Sequence, residues 1–181
     1  PTMLNNTLYH AKILLFGEYG IIEDSMGLSI PYTFYKGKLL KPEGEVSESQ
    51  QSSNQHLTAF LNYLKDLKTQ GKLPCEMNLE GFETDINTGL YFDSSIPQGF
   101  GVGSSGALVA AVYDRYSVNK ITEQDTHKEG VLAELKQTLS VLESYFHGKS
   151  SGLDPLICYL NLPILIESKN KLSTVAIPAE N

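Results

Sequence analysis

Apolar residues follow two rhythms along this chain. Leu8 to Glu18 is almost continuously apolar through Tyr9, Ile13, Leu14, Leu15 and Phe16 and runs into the turn Gly17-Glu18-Tyr19-Gly20, which predicts a buried strand. Ile21 to Ile30 is a shorter apolar segment that fits either type. Tyr32 to Leu40 alternates through Tyr35, Gly37 and Leu39 and predicts a second strand. Lys41 to Ser53 is rich in Glu, Ser and Gln and predicts an exposed loop. Leu57, Phe60, Leu61, Leu64 and Leu67 then recur at helical spacing. They predict an amphipathic helix opened near Ser53-Asn54 and closed by Gly71. Cys75 to Thr84 and Thr88 to Phe92 read as two strands around Asp85-Ile86-Asn87. A helix is expected to about Tyr116, a helix start at Thr122 with Asp125 three residues on, and a helix over Val131 to Phe146. Gly148 to Asp154 reads as a turn, Leu156 to Leu160 as a short helix. Ile164-Leu165-Ile166 and Leu172 to Ile177 read as strands joined by Ser168-Lys169-Asn170-Lys171. Strands and helices without strict alternation imply an α+β fold, a mixed β-sheet packed against helices.

Composition narrows the class of partner. At 181 residues and 41% apolar, the chain has the size and content of one globular domain. A formal net charge of -7 argues against general nucleic-acid binding. A phosphate ligand would have to be held by local dipoles, a metal and one or two lysines. Cys75 and Cys158 lack metal or redox spacing and read as reduced core thiols. No apolar run is long enough to span a membrane, and the N-terminus lacks a basic-then-apolar signal pattern; both point to a cytoplasmic protein.

The chemistry concentrates in Pro97-Gln98-Gly99-Phe100-Gly101-Val102-Gly103-Ser104-Ser105-Gly106, directly ahead of the apolar Ala107-Leu108-Val109-Ala110-Ala111-Val112-Tyr113. A glycine-rich turn entering a helix makes an anion site: the first N–H groups lack partners and the helix dipole is positive there. Glycine also lets the backbone curl close to a phosphate. Gly101-x-Gly103-x-x-Gly106 matches the dinucleotide fingerprint formally, but Asp93 to Gln98 separates it from a strand and no acid ends a strand about twenty residues on. A Walker loop needs a lysine after the last glycine, and none occurs between Lys72 and Lys120. A tight turn without a ligand would need only one or two glycines.

Three segments, in order, resemble a known family. Pro97-x-Gly99-x-Gly101-x-Gly103-Ser104-Ser105 resembles the Pro-x-Gly-x-Gly-Leu-Gly-Ser-Ser loop of the GHMP kinases (galacto-, homoserine, mevalonate and phosphomevalonate kinases), with Val102 for the usual Leu and Gly106 for the usual Ala. Ala11-Lys12-Ile13-Leu14-Leu15-Phe16-Gly17-Glu18-Tyr19 resembles the family's opening Gly-Lys-x-x-Leu-x-Gly-Glu-His. Glu143 to Asp154, with His147-Gly148 and Ser151-Gly152 between them, resembles Glu-x-x-x-His-Gly-x-Pro-Ser-Gly-x-Asp of the mevalonate branch. The resemblance implies an α+β N-terminal domain of the ribosomal protein S5 domain 2-like kind. It also implies transfer of the γ-phosphate of Mg²⁺-bound ATP to an alcohol, most closely mevalonate. Another GHMP kinase acting on phosphomevalonate or a sugar, or a non-catalytic nucleotide-binding module, are the alternatives.

The same resemblance assigns roles. Gly99, Gly101, Gly103 and Gly106 would cradle the nucleotide phosphates, with Glu18 in support near Lys12 or the phosphates. Ser105 and Glu143 would hold Mg²⁺, a cation content with one or two carboxylates, phosphate oxygens and water. Ser104 would bind phosphate or cap the helix. Asp154 would take the proton of the acceptor hydroxyl, and Lys12 beside it would lower that hydroxyl's pKa and neutralise charge on the γ-phosphate. Set against these are plainer readings: Lys12 as an edge-strand gatekeeper, Asp154 as a helix cap before Pro155, Glu143 as an exposed helix charge. Tyr19 and His147 would contact substrate, although Tyr19 stands where His is usual and His147 fits equally as a capping or packing residue. Lys149-Ser150 replaces the usual x-Pro, implying a less rigid loop. The family carries a second domain with another glycine-rich loop, and no glycine follows Gly152. Residues 1–181 are therefore expected to be the N-terminal, ATP-binding domain, with the C-terminal domain absent. Expected partners are ATP and a small alcohol, a C-terminal domain or a homo-oligomer, and neither nucleic acid nor membrane.

Overall fold

The computed structural model describes residues 7–16, 26–97, 99, 103–168 and 171–175. Strand β2 (Gly27–Leu40) organises the sheet. One edge pairs with β1 (Tyr9–Phe16), while the other edge takes β4 (Ile164–Ser168) at one end and β3 (Tyr91–Ser94) at the other. Leu28 thus lies between Phe16 and Leu165, and Gly37 between Tyr9 and Ser94. β5 (Lys171–Thr174) extends the sheet beyond β4. The sheet was expected to be mixed, but every described pairing is antiparallel. Pro31 falls in the gap left between β4 and β3, where a missing N–H removes no rung of that edge's ladder. β2 therefore continues through it, joining segments that the proline separates in the sequence.

Among the described residues, five α-helices pack with the sheet. α3 (Ser104–Tyr116) is central: it packs against α2 (Leu79–Asn87), α4 (Val131–His147), α5 (Leu153–Leu160), β1 and β2. Its small residues Ala107, Ala110 and Ala111 are fully buried and allow this crowding. α1 (Glu48–Thr69) buries Leu57, Phe60, Leu61 and Leu64 against α2, α4 and β3.

Three expectations are corrected here. α1 begins well before Ser53-Asn54, so part of the supposed Lys41–Ser53 loop is helical. Its first turns face solvent and carry no apolar period. The start is marked instead by Ser47, which caps Gln50 N–H while the Gln50 side chain caps Ser47 N–H. The supposed strand from Cys75 to Thr84 is largely α2, capped by Asn78 on Gly81 N–H at 2.9 Å, with Leu79, Phe82 and Ile86 buried on one face. α5 starts at Leu153, taking in residues read as a turn. Elsewhere β1, β4 and α4 follow the sequence reading, β2 takes in the expected Tyr32–Leu40 strand together with residues 27–30 of the unassigned segment, and the Thr122/Asp125 cap opens only a 3₁₀ turn over Glu123–Asp125. Among the described residues no helix is long and apolar enough to cross a membrane.

Asp85, near the end of α2, ties this helix to α3. Its carboxylate accepts from Arg115 Nη2 at 2.8 Å and Tyr116 Oη at 2.7 Å, and pairs with Lys41 Nζ at 2.9 Å. Burial alone would raise its pKa, but the hydrogen bonds from Lys41, Arg115 and Tyr116 outweigh that and hold it below the ordinary value. A depressed carboxyl contributes stability above its unfolded pKa and loses it as pH falls through the folded one. Asp85→Asn is expected to cost about 2 kcal/mol at neutral pH by stranding Arg115. The gap to the parent should close in urea titrations repeated down to pH 3; a gap constant with pH would refute the ionic account.

Candidate active site

The start of α3 gathers most of the predicted chemistry. Gly103 occupies the N-cap with φ of 84°, a left-handed conformation that glycine adopts without strain. It is closely covered: a Cβ there would lie 3.1 Å from Lys12 Cγ and 3.5 Å from Cys158 Sγ. Helical bonding starts at Ala107, whose N–H donates to Gly103 O, so the amides of Ser104, Ser105 and Gly106 precede the ladder. Ser104 is therefore the first helical residue and not the cap. Gly99 also has positive φ, at 79°. Gly101, Glu18 and Tyr19 lie outside the described residues.

Lys12 on β1 and Asp154 on α5 meet beside this helix start, Nζ to Oδ1 at 2.9 Å. Their side chains are 13% and 32% exposed, so Lys12 is not a solvent-facing edge residue. Gly152 holds the cap of α5, and Asp154 sits within the first turn, where a carboxylate is favoured by the dipole. The helix-cap reading of Asp154 is thereby corrected. α5 approaches α3 so closely that a Cβ on Gly106 would lie 2.9 Å from Asp154 C and Pro155 N. That contact fixes the Asp154 backbone against the glycine loop's helix.

Glu143, near the end of α4, is only 3% exposed, so it is not a solvated helix charge. Ser105 Oγ donates to its Oε1 at 3.0 Å, and Ser150 Oγ donates to its Oε2. Burial raises the Glu143 carboxyl above its ordinary range; the Ser150 hydrogen bond opposes this, and the nearby Asp154 charge adds to it. A buried carboxylate hydrogen-bonded to two hydroxyl groups offers the hard oxygen donors that Mg²⁺ favours. Among the described residues no cluster of three His, Cys, Asp or Glu could hold a metal on its own. A cation here would share its coordination with phosphate oxygens and water.

His147 was expected to contact substrate. Its Nε2 lies 3.0 Å from Ser105 Oγ, which places it against the predicted cation ligand. The loop carrying Ser150 in place of proline is held by three hydrogen bonds. Ser140 Oγ donates to Ser150 O at 2.6 Å, Gly152 N–H donates to Ser150 Oγ at 2.9 Å, and Leu153 N–H donates to Ser151 Oγ at 3.2 Å. Ser150 and Gly152 were not predicted as site residues. The doublet Ser150-Ser151 ahead of Gly152 and a helix start was the available signal. Cys158 packs behind the cap, its thiol 3.8 Å from Gly103 O and pushed up by burial, as befits an inert core thiol.

These features define an α+β domain with a glycine at the start of a central helix, and with a lysine–aspartate pair and a buried glutamate gathered at that helix start. Residues 57–161 match the family model described as the GHMP kinases N terminal domain, and the chain belongs to that family. Two solved structures are similar to it. Mevalonate kinase from L. major, in complex with R-mevalonate, is 15% identical with a TM-score of 0.54, over 97% of this chain and 53% of that one. Mevalonate kinase from methicillin-resistant Staphylococcus aureus MRSA252 is 19% identical with a TM-score of 0.49, over 93% of this chain and 54% of that one. The chain spans about half the length of each. The L. major match supports the fold. No curated protein matches the sequence.

Proposed function

We propose that residues 1–181 form the nucleotide-binding domain of a small-molecule kinase that moves the γ-phosphoryl group of Mg²⁺-bound ATP to an alcohol, with mevalonate as acceptor. The observation that carries this is the Lys12–Asp154 pair standing beside the start of the glycine-loop helix. Such a pair supplies a proton acceptor and a positive charge where a phosphoryl group would be cradled. Membership of the family supports the reaction class, and the Glu143-to-Asp154 segment supports the acceptor.

In this reading the amides from Ser104 to Gly106 bind phosphate oxygens. Asp154 orients the acceptor hydroxyl and takes its proton as the new P–O bond forms and the bond to the ADP oxygen breaks. Lys12 holds the Asp154 carboxylate in place and faces the charge on the transferring group. Ser105 and Glu143 would hold Mg²⁺, which when bound neutralises charge on the phosphate oxygens.

The test is a titration of the chain with Mg·ATP, followed by ADP release over a panel of mevalonate, phosphomevalonate and sugars, in this chain and in any longer form of it. Mevalonate-dependent ADP release is expected. Preference for a sugar or phosphomevalonate moves the assignment to a sister kinase. Nucleotide binding without turnover on any acceptor, in every form, makes the chain a binding module, and failure to bind Mg·ATP overturns the reading.

A further inference from the structure

The loop between α4 and α5 does something that its resemblance to other GHMP kinases does not assign. Ser150 stands where the related segment carries proline, and proline has no hydroxyl. In this chain the Ser150 hydroxyl links two parts of the site: it donates to Glu143 Oε2 and accepts from Gly152 N–H at 2.9 Å. Because the backbone amide supplies a hydrogen to Ser150 Oγ, the hydroxyl's own hydrogen is directed onto the carboxylate. The frame behind it is fixed. Ser140 Oγ donates to Ser150 O at 2.6 Å, and Gly152 is pressed against Lys136 O and Ser140.

The two oxygens of Glu143 are consequently held by different serines, Oε1 by Ser105 and Oε2 by Ser150. Ser105 is the hydroxyl expected to turn toward a cation. Once it does so, Ser150 is the donor that still fixes the plane of the carboxylate. We infer that Ser150 is a positioning residue that aims Glu143 at the nucleotide-bound divalent cation, replacing with a directed hydrogen bond the rigidity that proline would give the loop. The inference rests on the reading of Glu143 as a cation ligand given above. Groups that orient a metal-bound carboxylate commonly matter to affinity although they never touch the metal.

The experiment uses the 181-residue chain, Mn²⁺ and ATP. Binding of Mn·ATP is followed by water-proton relaxation, and binding of ATP in the presence of EDTA by calorimetry. Ser150→Ala is expected to weaken Mn·ATP binding about 10-fold while leaving metal-free ATP binding unchanged. Ser150→Thr keeps the hydroxyl and is expected to restore parental binding, whereas Ser150→Pro, the related loop's residue, is not. If Ser150→Ala loses Mn·ATP and metal-free ATP affinity together, along with melting temperature, Ser150 only supports the loop and the inference is overturned. Glu143→Gln separates the two layers. If it weakens Mn·ATP binding and Ser150→Ala does not, the role of Ser150 alone fails. If Glu143→Gln changes nothing, the cation-site reading itself fails.

Discussion

Gly152→Ala is expected to destabilise the chain by about 3–4 kcal/mol, combining overpacking with the cost of a left-handed alanine. Gly152 has φ of 77°, and a Cβ there would come within 2.1 Å of Lys136 O and 2.9 Å of both Ser140 N and Cβ. Neither obstacle is the free end of a flexible side chain. The backbone of α4 or the cap of α5 must move, and either motion carries Ser150 or Asp154 with it. Gly148→Ala is the matched control: Gly148 has φ of 69° but open space around its Cβ position, so only the conformational cost of about 1 kcal/mol applies. For a domain of this size the Gly152 change corresponds to a fall in melting temperature of roughly 10 °C. Urea titrations of both variants check the contrast; equal losses would mean that the packing at Gly152 is softer than described.

If the proposed transfer is carried out, Asp154→Asn is expected to lower turnover about 10²–10⁴-fold, while the dissociation constant for Mg·ATP changes little. Asparagine keeps the shape of the side chain but cannot take the hydroxyl proton. Lys12→Met removes the facing charge and is expected to cost turnover as well. Lys12 and Asp154 form one ion pair, so the double variant should lose less than the two single losses multiplied together. The measurement is kcat for ADP release at saturating Mg·ATP and acceptor for the four proteins of the cycle. A parental kcat in Asp154→Asn removes it as the proton acceptor, and strict multiplicativity in the double variant separates the roles of the two residues.

The parts of the fold that could be read from sequence are those where burial imposes a period. α4 shows its stripe of Leu132, Leu135, Leu139 and Leu142, and all four are buried. α3 could be placed because glycines give way abruptly to alanine and valine. The start of α1 could not be seen from apolar spacing, since its first turns are solvated and only the reciprocal Ser47/Gln50 cap marks them. α2 is hidden in the sequence because its three buried residues, Leu79, Phe82 and Ile86, sit among Gly81, Thr84 and Asp85, which weaken a helical pattern.

The site follows a similar division. Lys12 and Asp154 lie too far apart in sequence for any local spacing to pair them; family resemblance suggested the pairing, and the fold of α5 onto β1 brings it about. The burial of Glu143 was foreshadowed by its place at the end of an apolar stripe. What it touches was not, because Ser105, His147 and Ser150 reach it or its neighbours from three different segments. A resemblance transfers identities position by position. Where this chain departs from the pattern, as at Ser150, only the geometry reveals that the departing residue has partners of its own.

The contact at Gly106 links the start of α3 to the proton-accepting side of the site. The related loop usually carries alanine there, yet a methyl group in this chain would meet the Asp154–Pro155 peptide at 2.9 Å. Alanine there requires the Asp154–Pro155 backbone to give way, and Asp154, the partner of Lys12, moves with it. Gly106 therefore ties the choice of side chain at the start of α3 to the seat of α5 and, through it, to the position of Asp154.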